Sequence, residues 1–220
     1  MKYWNDPRIH NFGNIGFFGR IHAELCPFFT RFIDEKAYNG RDIRLESLNN
    51  TFKEIFSNNE KRLFCVDLCC GTGYSTKSIL EQSKKYSLNE NRIIGIDTSP
   101  EMIHVGKRVN GCENTRYFIS NAETFGFSDS FDVVTIMYAF HEIPQEGRIE
   151  ILKNIKRILK KNGKCVIVDI ATNYCPSEMM LSGEPFVEEY LINIDDDINS
   201  IFPSHKKSIV VEGHVHVWEI

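Results

Sequence analysis

The sequence predicts an α/β domain: a mostly parallel sheet of seven strands flanked by helices, closed by a C-terminal β-hairpin and preceded by a helical cap. Three observations carry this. Between residues 62 and 170, short β-branched runs alternate with longer amphipathic ones, the pattern of βαβ units around a parallel sheet. Beyond them, two alternating runs are separated only by Glu212-Gly213, a hairpin signal. The whole chain has 220 residues, 42% of them hydrophobic, which suits one core rather than two.

Residues 1–60 hold Phe12, Phe17, Phe18, Phe28, Phe29, Phe32, Phe52 and Phe56, half of the 16 phenylalanines in about a quarter of the chain. They are expected to form a helical cap on the domain at 61–220, either as a lid over a pocket or as a layer burying a sheet edge. As a lid it would offer Trp4, Asp6, His10, Phe17 and Phe18 to the pocket. Five strands are expected at Leu63–Leu68, Arg92–Asp97, Thr115–Ser120, Phe131–Tyr138 and Lys164–Ile170. Ser99-Pro100-Glu101 supplies an N-cap, a proline at the first helical position and an acid in the first turn, so a helix should run from there to about Val109. Gln145–Lys161 repeats Ile149, Leu152, Ile155, Ile158 and Leu159 at helical spacing, with Asn162-Gly163 as the expected stop. Gly183–Ile201 reads as an acidic helix, and Ser208–Val211 with His214–Ile220 as the hairpin that completes seven strands.

Charge excludes one class of partner. Lys plus Arg number 26 against 30 acids, a net charge of −4, without the basic excess of a chain that grips nucleic acid. No run is long and apolar enough to span a membrane, and the N-terminus lacks a signal-peptide layout. Seven cysteines, odd in number and scattered, fit reduced thiols and a cytoplasmic location. No metal is expected: Cys69-Cys70 is the sole close cysteine pair, His214 and His216 lack a third partner, and Asp195-Asp196-Asp197 lacks the spacing of a calcium loop.

The chemistry concentrates in Phe64-Cys65-Val66-Asp67-Leu68-Cys69-Cys70-Gly71-Thr72-Gly73-Tyr74, a strand that runs through a glycine turn into a helix. Glycine there permits positive φ and close approach of a ligand, and the helix start offers unpaired N–H groups. The dinucleotide fingerprint needs a third glycine where Thr76 stands, which disfavours NAD and FAD. Asp97 ends the second strand, where a carboxylate accepts hydrogen bonds from both hydroxyls of a ribose. Asn121-Ala122-Glu123 ends the third, where an amide suits an adenine edge.

With VDLCCGTG at 66–73, IIGIDTSPEMI at 93–103, SNAETFGFSDSFDVVTIMYAFHEIP at 120–144 and RILKKNGKCVIVD at 157–169, the chain resembles the class I S-adenosylmethionine-dependent methyltransferases, in their ubiquinone-biosynthesis-like branch. The resemblance covers about residues 62–170 and implies a Rossmann-like fold with S-adenosylmethionine as cofactor. By resemblance the methionine part falls to Asp67, Cys69, Gly71, Thr72 and Gly73, the ribose to Asp97 with Thr98 and Met102 nearby, and adenine to Asn121, Ala122 and Glu123. Cys69 stands where the family carries a glycine, and Asn121 where an aspartate is common. Tyr138 and His141, just past the fourth strand, are candidates for lining the cofactor and for catalysis, His141 as a base. Asp169 closes the fifth strand on the same rim, while Tyr174, Met179, Met180 and Phe186 offer a further wall. The expected substrate is a small apolar or aromatic acceptor. A nucleic-acid or protein methyltransferase and a non-catalytic binding protein are the alternatives.

Overall fold

The computed structural model describes residues 2–11, 13, 15–57, 62–86 and 92–220. Phe12 and the expected boundary at residues 60 and 61 lie outside these. The strands are β1 (Phe64–Leu68), β2 (Arg92–Asp97), β3 (Thr115–Ile119), β4 (Phe131–Met137), β5 (Leu159–Ile170), β6 (Lys206–Val211) and β7 (Val215–Glu219). They form one sheet in the order β3-β2-β1-β4-β5-β7-β6. Strands β1 to β5 are parallel, and β7 runs antiparallel to both β5 and β6. Strand order reverses between β1 and β4, which opens a crevice at their carboxyl ends.

The helices are α1 (Gly16–Ala37), α2 (Ile43–Ser47), α3 (Asn49–Ser57), α4 (Tyr74–Lys85), α5 (Pro100–Val109), α6 (Gln145–Ile158), α7 (Glu178–Gly183) and α8 (Val187–Ile201). Side-chain alternation along each strand feeds two cores. Val66, Val134, Ile136 and Ile167 bury against Ile151, Ile155 and Tyr190 on one face. Cys65, Val133, Val166 and Val168 bury against Ile43, Phe52 and Ile79 on the other. Among the described residues no helix is long and apolar enough to cross a membrane.

Three expectations need correction. Helix α6 ends at Ile158 rather than Lys161, because Leu159 turns extended (φ −71°, ψ 132°) and joins the sheet opposite Phe131. Asn162-Gly163 therefore sits inside β5, where pairing jumps from Phe131–Leu159 to Val133–Lys164. A side chain at Gly163 would begin 2.9 Å from the Phe131 carbonyl, so this crossing requires glycine. The acidic helix starts at Val187 rather than Gly183, and a separate short helix, α7, precedes it: ahead of Pro185, which disfavours helical geometry in the residue before it, Glu184 leaves the helix (φ −125°, ψ 82°). In the cap, α1 packs on α5 through Ala23, Met102 and Val105. Asp6 pairs with Arg8 at 2.7 Å, and Phe17 and Phe18 are exposed, so these three leave the pocket.

Candidate active site

The crevice contains a cavity of about 550 Å³, within the roughly 300–1,000 Å³ range of small-molecule sites. Beside it, a chamber of about 70 Å³ lies between Tyr3 and Trp4 above and Asp97, Thr98, Asn121 and Ala122 below. The two share Cys69, Asp97, Ala139 and Glu142 and form one bent cleft.

The glycine turn divides its labour. Asp67 is fully buried and accepts from Ser75 Oγ (2.6 Å), Thr76 Oγ1 (2.6 Å) and Thr135 Oγ1 (2.7 Å), so it anchors the start of α4 to β1 and β4 and lines neither chamber. Gly73 (φ +84°) lies against Tyr117, whose hydroxyl would stand 2.4 Å from an added Cβ; it too serves packing. Gly71 (φ +51°) differs, because an added Cβ would meet nothing within 4 Å and would project into open space in the cleft lining. Gly71→Val is accordingly expected to abolish cofactor binding while the fold stays cooperative, with only about 1–3 kcal/mol lost to backbone strain; circular dichroism melting beside a binding titration checks both halves. Cys69 tolerates the family's glycine position by taking φ +54° itself, and its thiol is held protonated by burial and by the nearby acids.

Asp97 stands at the junction of the two chambers. Its Oδ2 accepts from Gly71 N and its Oδ1 from Ser99 N, both at 2.9 Å, which leaves lone pairs on each oxygen for a ligand. Burial pushes its pKa up to about 6 despite those two donors. Thr98 lines the small chamber, and Thr72 and Met102 line the large one. Asn121 Oδ1 accepts from Glu123 N (2.9 Å) and its Nδ2 donates to Glu123 Oε2 (3.2 Å), which shapes the turn carrying Ala122. Asn121 and Ala122 line the chamber, while Glu123 receives the Tyr3 hydroxyl at 2.8 Å and fastens the N-terminal segment across it.

Past β4, Tyr138 takes φ +55° and the chain turns through Phe140–Glu142. His141 Nδ1 lies 2.6 Å from Asp169 Oδ1, and Asp169 Oδ2 accepts from Phe140 N at 2.8 Å, so the neighbouring β4 and β5 build an imidazole–carboxylate dyad. Nδ1 is committed to Asp169, leaving Nε2 as the atom able to exchange a proton with a ligand. Burial alone would lower the His141 pKa; Asp169, with Glu142 and Glu184 behind it, outweighs this and holds it at about 9.

Sequence reasoning missed Arg44, Tyr38, His22 and Glu184, all of which line the large cavity. The Arg44 guanidinium lies 4.6 Å from the centre of the Tyr138 ring and pairs with Asp34 at 3.2 Å. Its only sequence signal is the N-cap at Asp42, whose side chain accepts from Leu45 N and fixes α2. Met180 and Tyr174 line the cavity as expected; Met179 is 80% exposed and Phe186 is not in the lining.

These residues fit S-adenosylmethionine. The open side of Gly71, the spare lone pairs of Asp97 and the N-terminus of α4 lie at one cavity that adjoins the chamber lined by Asn121 and Ala122. Residues 65–163 match the family described as a methyltransferase domain. A demethylmenaquinone methyltransferase of Lactobacillus johnsonii is 30% identical over 154 residues, covering 66% of this chain and 60% of that protein. The ubiquinone/menaquinone biosynthesis C-methyltransferase UbiE of Citrifermentans bemidjiense is 33% identical over 129 residues, covering 56% and 52%. The chain spans about half the length of the curated relatives it matches. Among solved structures, the plantazolicin methyltransferase BpumL in complex with S-adenosylhomocysteine superposes with a TM-score of 0.62 at 17% identity, covering 91% of this chain and 94% of that one. A TehB-like methyltransferase from Corynebacterium glutamicum gives 0.58 at 18% identity, covering 90% and 97%. At these identities the structural likeness establishes the fold alone, a fold shared with S-adenosylmethionine-dependent methyltransferases, and the sequence matches make residues 65–163 similar to a methyltransferase domain.

Proposed function

We propose that the protein transfers a methyl group from S-adenosylmethionine to a small apolar or aromatic acceptor held in the larger cavity. The observation that carries this reading is the continuity of the cleft. The cofactor-side residues Gly71 and Asp97 share one lining with an apolar wall of Phe29, Ile33, Met137, Ile170, Tyr174 and Met180. Bound S-adenosylmethionine supplies an electrophilic methyl group on a sulfonium. The chain's own part is to hold both ligands in line and to keep water out.

Asp97 would accept the ribose hydroxyls, Cys69, Gly71 and Thr72 would line the methionine part, and Thr98, Met102, Asn121 and Ala122 would enclose the nucleoside. Asp67, Gly73 and Glu123 support these from behind through Thr76, Tyr117 and Tyr3. Arg44, a cation in the lining above Tyr138, suits the cofactor's carboxylate. His141, oriented by Asp169, would take the acceptor's proton at Nε2 in its neutral form, which a pKa of about 9 makes dominant only in alkaline solution. The matched relatives are named for demethylmenaquinone and for ubiquinone/menaquinone C-methylation, which agrees with an aromatic acceptor. Free thiols at all seven cysteines agree with work in the cytoplasm.

The test is transfer of labelled methyl from S-adenosylmethionine to a panel of phenols, quinols and aromatic amines. Once an acceptor is found, His141→Ala and Asp169→Asn are expected to lower kcat by about 10²–10⁴ for the first variant and less for the second, with the Kd for S-adenosylhomocysteine unchanged. An unchanged kcat would remove His141 from the chemistry.

A further inference from the structure

We propose that the cavity holds a divalent transition-metal ion, bound by His10, Glu142 and Glu184. The three come from separate parts of the chain: a short 3-10 turn near the N-terminus, the turn after β4, and the break between α7 and α8. Each offers a donor atom, and these atoms all lie within 4.8 Å of one another. Ligand atoms around a tetrahedral ion with bonds of about 2.0–2.2 Å stand roughly 3.3 Å apart, so the donors would close up by at most about 1.5 Å on an ion.

The bonding among these groups is incomplete without an ion. His10 Nδ1 lies 2.9 Å from Glu184 Oε1, and its Nε2 lies 3.3 Å from Glu142 Oε2, so one imidazole ring is wedged between two carboxylates. That clamp leaves Glu184 Oε2 buried with no hydrogen-bond partner among the described residues, although the residue is only 9% exposed. The His22 ring lies tilted against His10 with ring centres 4.1 Å apart, and its Nδ1 is likewise buried without a partner among the described residues. An unpaired buried carboxylate oxygen and an unpaired buried imidazole nitrogen beside the Glu142 carboxylate are what a cation with imidazole and carboxylate preference satisfies. The imidazole donor of His10 favours zinc, iron, nickel or copper over magnesium or calcium.

All four residues line the large cavity, so the ion would keep an open position toward it. That position is where an oxygen, nitrogen or sulfur atom of the acceptor would sit; this last clause rests on the proposed methyl transfer, whereas the site itself does not. This proposal departs from the sequence expectation that no metal is bound. Sequence spacing concealed the set because its members are 132 and 42 residues apart along the chain.

The experiment uses the full chain, stripped with a chelator and titrated with Co²⁺ alone and with Zn²⁺ alone. One ion per chain, a cobalt visible spectrum of low-symmetry four- or five-coordinate type, and a loss of affinity of more than about tenfold in Glu184→Gln and in His10→Gln are expected. Glu184→Gln keeps the side-chain shape, and its circular dichroism spectrum should match the parent's, which shows that the fold is intact. Should His10→Gln fail to fold, Glu184→Gln and Glu142→Gln decide. Absence of stoichiometric binding to the parent, or equal binding by these variants, overturns the site. Neither result depends on a methyl acceptor, so failure of the metal site and failure of the proposed reaction are read separately.

Discussion

Asp97→Asn is expected to raise the Kd for S-adenosylhomocysteine by about ten- to a hundredfold, the loss of charge in hydrogen bonds worth about 1.5–3 kcal/mol. The asparagine keeps one acceptor oxygen and the residue's shape, so the bonds that Asp97 receives from Gly71 and Ser99 are disturbed less than by alanine. The parent also carries a pH signature. Burial raises the Asp97 pKa to about 6 in the free protein, so its carboxylate is ionised at pH 7.5 and protonates as pH falls through 6. Affinity is expected to be level above pH 7 and to fall below 6, and in Asp97→Asn this step should vanish. The sign for stability is opposite: with the folded pKa above the ordinary carboxylate value, this group's contribution to the free fold is greatest at low pH and is lost as pH rises through 6. Calorimetric titrations from pH 5 to 8 check the binding arm. A parent affinity that is flat over that window removes Asp97 from ligand contact.

The second large effect is on stability. Arg148 is completely buried in α6; its Nε donates to Asp197 Oδ2 in α8 at 2.8 Å and its Nη1 to the Ile143 carbonyl at 2.7 Å. Asp197, itself 2% exposed, also accepts from Gln145 Nε2 at 2.8 Å. The cluster ties α6 and α8 to the turn that carries His141 and Glu142. Arg148→Met leaves the Asp197 carboxylate buried opposite an apolar chain, an expected loss of about 3–5 kcal/mol. Urea unfolding measures it. The double variant Arg148→Met/Asp197→Leu should recover most of that loss, because it removes the stranded charge along with its partner. Equal instability in the double and single variants would mean that packing volume, not charge pairing, holds these helices.

Motif and period made the centre of the molecule legible. The β-branched runs fell on the strands, Ser99 caps α5 by accepting from Met102 N at 3.2 Å, and Gly71 and Asp97 stand in the cleft. His141 and Asp169 were each visible as residues at strand ends, but their pairing required β4 beside β5, which no local pattern states. Other roles depended on three-dimensional neighbours. Asp67 looks like a ligand contact in sequence, yet three hydroxyls from two different elements consume it. Gly73 looks like a ligand glycine, yet Tyr117 on β3 occupies the space beside it. Arg44, His22 and Glu184 sit in the cap and in the segment after β5, where function leaves no repeating pattern. Of the departures, the end of α7 at Glu184-Pro185 was readable, since a proline disfavours helix in the residue before it, although α1 runs through Pro27. The early end of α6 was not, because Leu159 continues the helical period and leaves it only to pair with Phe131.

Isothermal titration of the purified chain with S-adenosylmethionine, S-adenosylhomocysteine and NAD in parallel probes the cleft without knowledge of the acceptor. One site per chain for each of the two sulfur nucleosides, weakened in Asp97→Asn and lost in Gly71→Val, with no heat from NAD, is the expected result. Silence for both sulfur nucleosides from a folded protein, or equal binding by the variants, would contradict a methyltransferase cofactor site at Gly71 and Asp97.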